Sequence, residues 1–577
     1  MNPLREWREL VRHEFSGYDL RLFQQDALAA ITVAAVALPL ALAFGVASGA
    51  DAAAGLVTAI VAGVVIGALG GAPYQISGPT GAMSAVLIVL ASRYGLEAVW
   101  LAGVLAGVLL VGLGLFRLGK VVALIPAPVI SGFTSGIAVI IAVGQLDNAL
   151  GTRTPSPADT IEKIVYYVEH GVTPDARAVA LTALVIAVLV AWPRVPAFRR
   201  VPGSLAGIVA ATLVCVASGW DVPTIGTIPR TIVLGERLTL AAFTLTDLNH
   251  VLVPAMSLAA LGAIESLLCG AVGGNMTGIR LHSRLELVAQ GIGNIVVPFL
   301  GGVPATAAIA RTSVNIKSGG VTRVVPVMHG LILLVVALVA GSAIERIPLA
   351  ALAAVLIVTA WRMNEIPAIR FYFDKRLRHA IAAFLVTLVA TVVFDLTQAI
   401  LIGFGISTLI FISQISDLHI VRQPVDPRRL AGGDFVHPDH AISVYYLDGP
   451  LFFAAARKLV EDIEALDPAA ARLILSMRGV PLVDATGIEV LREIDRRQRR
   501  GGGALLLSGL QPRSELILRR AGFLDEVGPE RVFWSADRAI RSLGATAPTP
   551  VQATLGPEDM DTTLMLTPHA DQADRKL

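Results

Sequence analysis

The chain has 577 residues, of which 55% are hydrophobic and only 16% are charged, and its formal net charge is +2. A mean hydropathy of +0.70 excludes an ordinary soluble protein and indicates a membrane protein with many spans. No basic tract with interleaved aromatic residues is present, so nucleic-acid binding is not predicted. Cys215 and Cys269 both fall in apolar segments, which gives no support for a disulfide framework.

The N-terminal segment, residues 1–25, mixes arginine with glutamate and lacks the apolar core and cleavage site of a signal peptide. Residues 26–416 are predicted to form a transmembrane region with about fourteen apolar segments. These segments are 27–48, 52–71, 76–92, 97–116, 121–146, 178–192, 203–219, 251–272, 286–300, 304–319, 324–342, 348–361, 379–394 and 396–415. Lysine and arginine are concentrated in the connections on the N-terminal side, so the positive-inside rule predicts that both termini are cytoplasmic.

The third segment is interrupted at its start. Ile76–Met83 has the sequence ISGPTGAM, in which glycine, proline and threonine precede an otherwise apolar run. A helix from Thr80 to Arg93 would be about 20 Å long at ~1.5 Å per residue, which is nearer to half of a ~30 Å membrane than to all of it. The third segment is therefore predicted to contain a half-helix.

The tenth segment is interrupted in the same way. Gly301–Gly320 has the sequence GGVPATAAIARTSVNIKSGG, which carries too many polar groups for a lipid-facing helix. We predict extended chain through the glycines and Pro304, followed by a half-helix that starts near the middle of the membrane. The N–H groups at that start and the charge of Arg311 would form a buried anion site. The alternative is a short surface helix with Arg311 and Lys317 in water.

Segments three and ten are seven positions apart. In an inverted repeat of seven plus seven spans these two positions correspond, and the two half-helix starts would face each other at the midplane. The predicted fold class is therefore a polytopic α-helical membrane protein built as such a repeat.

Glu265 is an acidic residue inside an otherwise apolar segment. Burial of an isolated carboxylate is costly and disfavours its charged form, so Glu265 is a functional candidate. Its predicted partner is Arg311 or a cation. The alternative is a static structural ion pair with Arg311.

The chain changes character after about residue 416, where charged residues return. Residues 417–440 are predicted to be a linker, and 441–545 a small α/β domain with strands at Ser443–Leu447, Arg472–Met477 and Ala504–Ser508. Helices are predicted at Ala455–Leu466, Ile488–Arg499 and Ser514–Arg520. Residues 546–577 are polar and aperiodic, which predicts a disordered tail.

These features together resemble the sulfate permease (SulP) family of anion transporters. The resemblance is carried by residues 37–49 (ALPLALAFGVASG) in the first span, by 76–83 and by 304–315. The soluble part resembles a STAS domain, with 483–487 (VDATG) before its second helix. The resemblance implies a core domain of spans 1–4 and 8–11 that moves against a gate domain of spans 5–7 and 12–14. It also implies a homodimer in the plasma (cell inner) membrane and a cytoplasmic STAS domain.

The resemblance implies a set of substrate-binding residues. They are Thr80 and Gly81 at one half-helix start, Ala308, Ile309, Ala310 and Arg311 at the other, and Phe44 in the first span. Phe44 is equally well explained as an ordinary packing aromatic. The implied substrate is a small inorganic oxyanion or carboxylate: bicarbonate, sulfate or a C4-dicarboxylate.

Glu265 stands where bicarbonate-transporting members of the family carry a sodium-binding aspartate. Cys269 and Ile309 stand where those members have threonines beside the sodium, and neither side chain is a good ligand for a hard cation. The sequence therefore favours secondary active transport coupled to a proton carried by Glu265. Sodium-coupled bicarbonate symport and an uncoupled anion exchanger or channel on the same scaffold are the alternatives.

A membrane-anchored signalling protein with STAS as its output is an alternative from a different class. Ala485 replaces the phosphorylatable serine of the related anti-sigma-factor antagonists, so the STAS domain is predicted to serve folding, dimerisation or docking of a cytoplasmic protein partner. No hydrolytic triad, metal-ligand cluster or nucleotide-phosphate loop is recognisable. The chain is therefore not predicted to be an enzyme, and no metal or cofactor is expected.

Overall fold

The computed structural model describes residues 3–117, 126–152, 154, 160–194, 202–228, 231–239, 248–394, 396–415, 419–424, 442–453, 459, 461 and 472–544. The chain divides into two compact units, Met1–Thr408 and Leu409–Leu577. The predicted tail 546–577 and most of the helix predicted over 455–466 lie outside the described residues.

Helices follow the predicted apolar segments through the first 415 residues, joined by two very short strands. In chain order the elements are α1 (Pro3–Glu14), α2 (Leu20–Ala47), α3 (Ala52–Leu69), β1 (Ser77–Gly78), α4 (Gly81–Leu115), α5 (Ala127–Gly144), α6 (Leu146–Leu150), α7 (Thr160–His170), α8 (Ala176–Ala191), α9 (Gly203–Ser218), α10 (Leu248–Thr277), α11 (Ser283–Val296), β2 (Thr306–Ala307), α12 (Ile309–Lys317), α13 (Val324–Ile344), α14 (Leu349–Met363), α15 (Ile366–Asp374), α16 (Arg378–Val393) and α17 (Leu396–Ile415).

Seven of the described helices are long and apolar enough to cross a membrane by length and composition, and four shorter apolar helices accompany them. Helix α4 counts once among the seven, although Gly95 has a positive φ of 81° and divides it into the predicted third and fourth segments. Large apolar side chains such as Val339 (79% exposed) and Leu409 (66% exposed) point outward, as expected where lipid covers a helix. The structure is consistent with the predicted span count.

The two interrupted segments cross each other. Strands β1 and β2 pair antiparallel, with Ser77 opposite Ala307 and Gly78 opposite Thr306. Each strand is followed almost at once by a helix start, at Gly81 for α4 and at Ile309 for α12. Both predicted half-helices are thereby confirmed.

Helix α12 is not a surface helix. The side chain of Arg311 is only 1% exposed, and Thr312 and Asn315 are buried on the same helix. The alternative that placed Arg311 in water is wrong, because the helix turns this side chain toward strand β1, although Lys317 at the other end of α12 is exposed.

The chain that leaves α12 is tied to the N-terminal segment. The Gln25 side-chain amide donates to the Gly319 carbonyl oxygen at 2.7 Å. The buried carboxylate of Asp26 accepts hydrogen bonds from the Val321 N–H at 2.9 Å and from Tyr18 at 3.0 Å. Burial and, next, this bond to Asp26 raise the pKa of Tyr18 to about 12. Gln25 and Asp26 both lie on α2, which begins at Leu20, so the first helix of the bundle starts earlier than the predicted residue 26.

The same chain is held by α1. Arg323 donates from its backbone N–H to Glu14 at 2.6 Å and from Nε to the same carboxylate at 2.8 Å. A third bond runs from Arg323 Nη1 to the Ala68 carbonyl oxygen at the end of α3, at 2.7 Å. The segment 319–323 is therefore anchored to α1, α2 and α3 together.

The C-terminal unit contains a five-stranded sheet in the order β3-β4-β5-β6-β7. Its elements are β3 (His419–Pro424), β4 (Ile442–Asp448), β5 (Arg472–Gly479), α18 (Ala485–Arg500), β6 (Ala504–Ser508), α19 (Pro512–Arg520), α20 (Phe523–Val527), β7 (Val532–Phe533) and α21 (Ala536–Gly544). β3 pairs antiparallel with β4, and the remaining neighbours are parallel.

Strand β3 corrects one prediction. It falls inside the stretch predicted to be a linker, 417–440, yet it pairs with β4 from His419 opposite Asp448 to Pro424 opposite Ser443. An edge strand needs no strong alternation of apolar residues, and Pro424 is tolerated at its end, so the sequence signal was that of a turn. The other described strands and helices of this unit confirm the predicted α/β domain.

Candidate functional site

The start of α4 is capped by a side chain that also reaches a buried acid. Thr80 precedes the helix, and its hydroxyl oxygen accepts a hydrogen bond from the Met83 N–H at an N–O distance of 3.5 Å. The same hydroxyl donates to Oε2 of Glu265 on α10 at 3.0 Å. The N–H groups of Gly81 and the residue after it belong to the first turn, where no carbonyl of the helix can accept them.

The start of α12 is open. Ala308 precedes the helix and provides no side-chain cap, and its own N–H donates to the Ile76 carbonyl oxygen at 2.9 Å. The N–H groups of Ile309, Ala310 and Arg311 form the first turn and have no acceptor within the helix. Ile309 is 38% exposed and Ala310 is exposed, so the described chain does not cover this turn. The turn therefore offers donors and a partial positive charge.

Arg311 connects the two helix starts. Its Nη2 donates to the Pro79 carbonyl oxygen at 2.6 Å, directly before the start of α4. A Cβ atom built on Gly78 would lie 2.5 Å from Nη1, so the guanidinium presses against strand β1. Within the described residues Nη1 has no hydrogen-bond acceptor although it is buried. The guanidinium thus keeps a buried positive charge beside the two helix starts.

Glu265 is partly exposed and bonds to Thr80 rather than to Arg311. Among the described residues, no ion pair joins Glu265 to Arg311, which bonds to a backbone carbonyl instead. The alternative of a static ion pair is therefore wrong for this conformation, in which Glu265 accepts a hydrogen bond from Thr80. A cation as the partner of Glu265 stays a prediction. The carboxylate therefore lies near Arg311 without a direct ion pair to it.

The two side chains that were weighed as sodium ligands, Cys269 and Ile309, are a thiol and an apolar group. The thiol of Cys269 is buried and donates to the Thr312 hydroxyl at 3.3 Å, and Ile309 is apolar. The Ser266 hydroxyl lies 3.0 Å from that of Thr306 on β2. In the part of the chain that the structure describes, no group of three or more His, Cys, Asp or Glu side chains is arranged to hold a metal ion.

Phe44 packs against the start of α4. Glycine has no Cβ atom, but one placed on Gly81 would lie 3.2 Å from the ring atom Cε1 of Phe44 and 3.5 Å from the sulfur of Met363 on α14. Ile141 on α5 is closer still to that position. Gly81 is therefore the point where α2, α5 and α14 meet the half-helix.

The structure brings the predicted site residues together. Thr80, Gly81, Arg311, Glu265 and Phe44 are linked by the contacts given above, and Ala308, Ile309 and Ala310 form the start of α12.

Three further polar residues lie next to the site and were not predicted from the sequence. Glu286, Gln290 and Asn294 form a buried polar stripe on α11 that contacts the chain around β1 and β2. Their spacing of four residues within an apolar segment was the signal that could have revealed them.

Family comparisons cover most of the chain. The model described as the sulfate permease family matches residues 23–390, and the STAS domain model matches residues 436–539. The putative sulfate transporter YvdB of Bacillus subtilis is 36% identical over 526 residues, which are 90% of this chain and 97% of YvdB. The bicarbonate transporter BicA of Synechocystis sp. is 31% identical over 513 residues, which are 85% of this chain and 88% of BicA.

Solved structures show the same fold. The transmembrane domain of a cyanobacterial bicarbonate transporter BicA matches with a TM-score of 0.59 at 32% identity, covering 66% of this chain and 98% of that one. The murine anion transporter Slc26a9 in its inward-facing state matches with a TM-score of 0.79 over 90% of this chain and 91% of its own. Its identity of 18% supports the fold alone.

Proposed function

This chain belongs to the sulfate permease family and carries a STAS domain, and on that premise we propose that it is a secondary active transporter of a small oxyanion or carboxylate. Members of the family are transporters and not enzymes. Sulfate, bicarbonate and C4-dicarboxylates are the candidate substrates. Relatives described as sulfate and bicarbonate transporters support the first two.

The open start of α12 beside Arg311 is the main structural support for an anion-binding site. Its first-turn N–H groups, the partial positive charge of the helix start and the buried charge of Arg311 all favour a negative ligand. The start of α4 adds the N–H of Gly81 from the other side of the crossing strands. A tetrahedral or planar oxyanion with several acceptor atoms suits donors that arrive from two directions.

Glu265 is proposed to carry the coupling proton. A negative charge on Glu265 opposes an anion bound near Arg311, and protonation removes that charge. Proton and anion therefore favour each other's binding, which is the thermodynamic requirement for symport. Cys269 and Ile309 support a proton over sodium, because a thiol engaged with Thr312 and an apolar side chain are poor sodium ligands.

Alternating access is proposed to occur by movement of the core against the gate. Gly81 supports this proposal, because it lies on the half-helix and touches Ile141 and Met363, which belong to helices that the family resemblance assigns to the gate. A small displacement between these groups would expose the site to one side or the other. We place the protein in the plasma (cell inner) membrane with both termini cytoplasmic, following the distribution of lysine and arginine. We also propose that two copies form a homodimer and that the STAS domain contributes to assembly or docks a cytoplasmic partner.

Proteoliposomes containing the full chain provide the test. Uptake of radiolabelled sulfate, bicarbonate, fumarate and chloride is measured with proton and sodium gradients imposed separately. We expect one of the first three anions to accumulate when the outside is acidic, with no response to sodium. Accumulation that follows sodium and ignores the pH gradient would contradict proton coupling, and uptake of none of these anions would contradict the transport proposal.

The variant Glu265→Gln separates coupling from binding. Glutamine keeps an acceptor for Thr80 but cannot exchange a proton, so we expect anion binding and anion exchange to persist while concentrative uptake is lost. Normal accumulation by this variant would remove Glu265 from the coupling mechanism.

Sodium-coupled bicarbonate transport is the second candidate. It is favoured by the 31% identity to the bicarbonate transporter BicA over 85% of this chain. The sodium-gradient experiment with bicarbonate decides between proton coupling and sodium coupling, since only sodium-coupled bicarbonate transport predicts uptake driven by sodium. Uptake of bicarbonate that responds to neither gradient would instead indicate an uncoupled exchanger.

A further inference from the structure

One face of α11 carries three polar side chains at consecutive turns: Glu286, Gln290 and Asn294. We name them the polar ladder. Their exposed fractions are 1%, 0% and 1%, so all three are buried inside a segment that is otherwise apolar. Burying a polar group without a partner costs desolvation free energy. Three buried polar side chains in one membrane helix therefore need hydrogen bonds that offset this cost.

Glu286 holds the turn that leads into β1. Its Oε2 accepts the Gly71 N–H at 2.9 Å, and its Oε1 accepts the Gln75 side-chain amide at 3.0 Å. The Gln75 amide also donates to the Ser266 carbonyl oxygen on α10 at 3.2 Å. The carboxylate therefore fixes the chain between α3 and β1 from two sides.

Gln290 holds β1 itself. Its side-chain amide donates to the Ser77 hydroxyl at 2.9 Å and to Glu286 at 2.9 Å. Ser77 is one of the two residues through which β1 pairs with β2.

Asn294 holds the residue directly before β2. Its Nδ2 donates to the Ala305 carbonyl oxygen at 2.8 Å, and its Oδ1 accepts the Ala305 N–H at 2.8 Å. This reciprocal pair of bonds has the form of strand pairing, with an amide side chain in place of a neighbouring strand. One helix face thus binds both of the crossing strands.

The strands need this support. A ladder of two residue pairs is much shorter than the strands that are stable in proteins, so its own hydrogen bonds cannot fix the crossing. The two helix starts follow β1 and β2 within three residues, and their relative position depends on that crossing.

We propose that the polar ladder positions the two half-helix starts and so sets the affinity of the anion site; this inference rests on the proposed function. Glu286, Gln290 and Asn294 act through the strands, since none of their hydrogen bonds within the described chain involves Thr80, Glu265 or Arg311. They are positioning residues.

The variants Gln290→Met and Asn294→Leu test the proposal in the full chain in lipid nanodiscs. Each removes the bonds to one strand and keeps a side chain of similar size. Thr182→Val is the matched control, because Thr182 is buried on α8 and donates to the carbonyl oxygens of Ala149 and Ala350, away from the crossing. Ser77→Ala removes one ladder bond from the strand side and leaves α11 unchanged, which provides a second route if a ladder variant does not fold.

Two readouts are measured on the folded fraction: the Kd for radiolabelled sulfate and bicarbonate, and hydrogen–deuterium exchange of peptides covering 76–83 and 303–312. We expect both ladder variants to raise Kd by about tenfold or more, because misplacement of fixed donors by about 1 Å has large effects on a site. Exchange in both peptides should become faster, and Ser77→Ala should change both readouts in the same direction by less. Thr182→Val should lower thermal stability without changing Kd or these peptides.

Ladder variants that lose thermal stability but keep wild-type Kd and wild-type exchange in both peptides would overturn the inference, leaving a structural role only. Failure of the proposed function is distinguishable. In that case the wild type binds none of the anions, and the exchange readout alone decides whether the polar ladder holds the crossing.

Discussion

The two half-helix starts differ in what their first residues do. At α4 the capping hydroxyl of Thr80 is shared between the helix and Glu265, whereas at α12 Ala308 offers no cap and the first-turn N–H groups remain open. The α12 start also contributes a basic residue, Arg311, which donates to the chain before α4. The two starts therefore have different roles in the proposed mechanism. The α4 start contacts the acid Glu265, and the α12 start has N–H groups open to the anion.

Arg311→Ala should have the largest effect on anion binding. It removes the guanidinium that serves both starts, and the loss of charge-assisted hydrogen bonds worth about 1.5–3 kcal/mol should raise the anion Kd by ten- to a hundredfold. Equilibrium binding of radiolabelled anion measures the effect. Arg311→Lys should give an intermediate Kd, since lysine keeps the charge but not the planar fork. An unchanged Kd in the alanine variant would show that the anion does not bind at this crossing.

Gly78→Ala should have the next largest effect. The added Cβ would lie 2.5 Å from Nη1 of Arg311, so the guanidinium must move away from β1. We expect an increase in anion Kd of about tenfold, the size of one misplaced charge-assisted bond. Gly112→Ala is the control within α4, because its Cβ would meet no atom within 4 Å and alanine favours a helix. Equal Kd values for the two alanine variants would mean that β1 does not constrain Arg311.

Thr80→Val tests the link between the start of α4 and the proposed proton carrier Glu265. The variant loses both the helix cap and the bond to Glu265, and a lost cap costs about 1 kcal/mol, or roughly a fivefold change in an equilibrium. We expect proton-driven uptake to fall by about this factor while Kd at fixed pH changes less. Thr80→Ser retains the hydroxyl and should behave as wild type in the same proteoliposome assay. A Thr80→Val variant with normal proton-driven uptake would separate Thr80 from the coupling.

Ala308→Ser should make the second start more like the first, with the smallest effect. A serine cap stabilises a helix by about 0.5–1 kcal/mol and occupies one of the N–H groups that the anion would use. We therefore expect a higher Tm together with a two- to threefold weaker Kd, measured by thermal unfolding and by anion binding. Tighter anion binding in this variant would contradict the idea that the open start contributes donors.

The broken helices could be predicted because their cause is local. Glycine and proline at 301–304 and at 78–81 combine with nearby polar residues, which disfavours a continuous helix there, and the polar residues of 306–317 cannot face lipid. The buried position of Arg311 followed from the same reasoning.

Tertiary partners could not be predicted in the same way. An ion pair between Glu265 and Arg311 was one expectation, but the crossing of the strands places Thr80 within hydrogen-bond distance of Glu265 and directs Arg311 to Pro79. The spacing of Glu286, Gln290 and Asn294 was visible in the sequence, but its meaning depends on strands that come from distant parts of the chain. Strand β3 was missed because its edge position and Pro424 weaken the alternation that identifies a strand.

The anchoring of residues 319–323 limits how the anion site can change shape. Helix α12 has nine residues; β2 fastens one end to β1, and Gln25 and Asp26 fasten the chain at the other. With both ends held by hydrogen bonds, movement of α12 relative to α2 and β1 would break these bonds. If the site moves between the two sides of the bilayer as proposed, we expect α1, α2, α3 and α12 to move together, because these contacts join them.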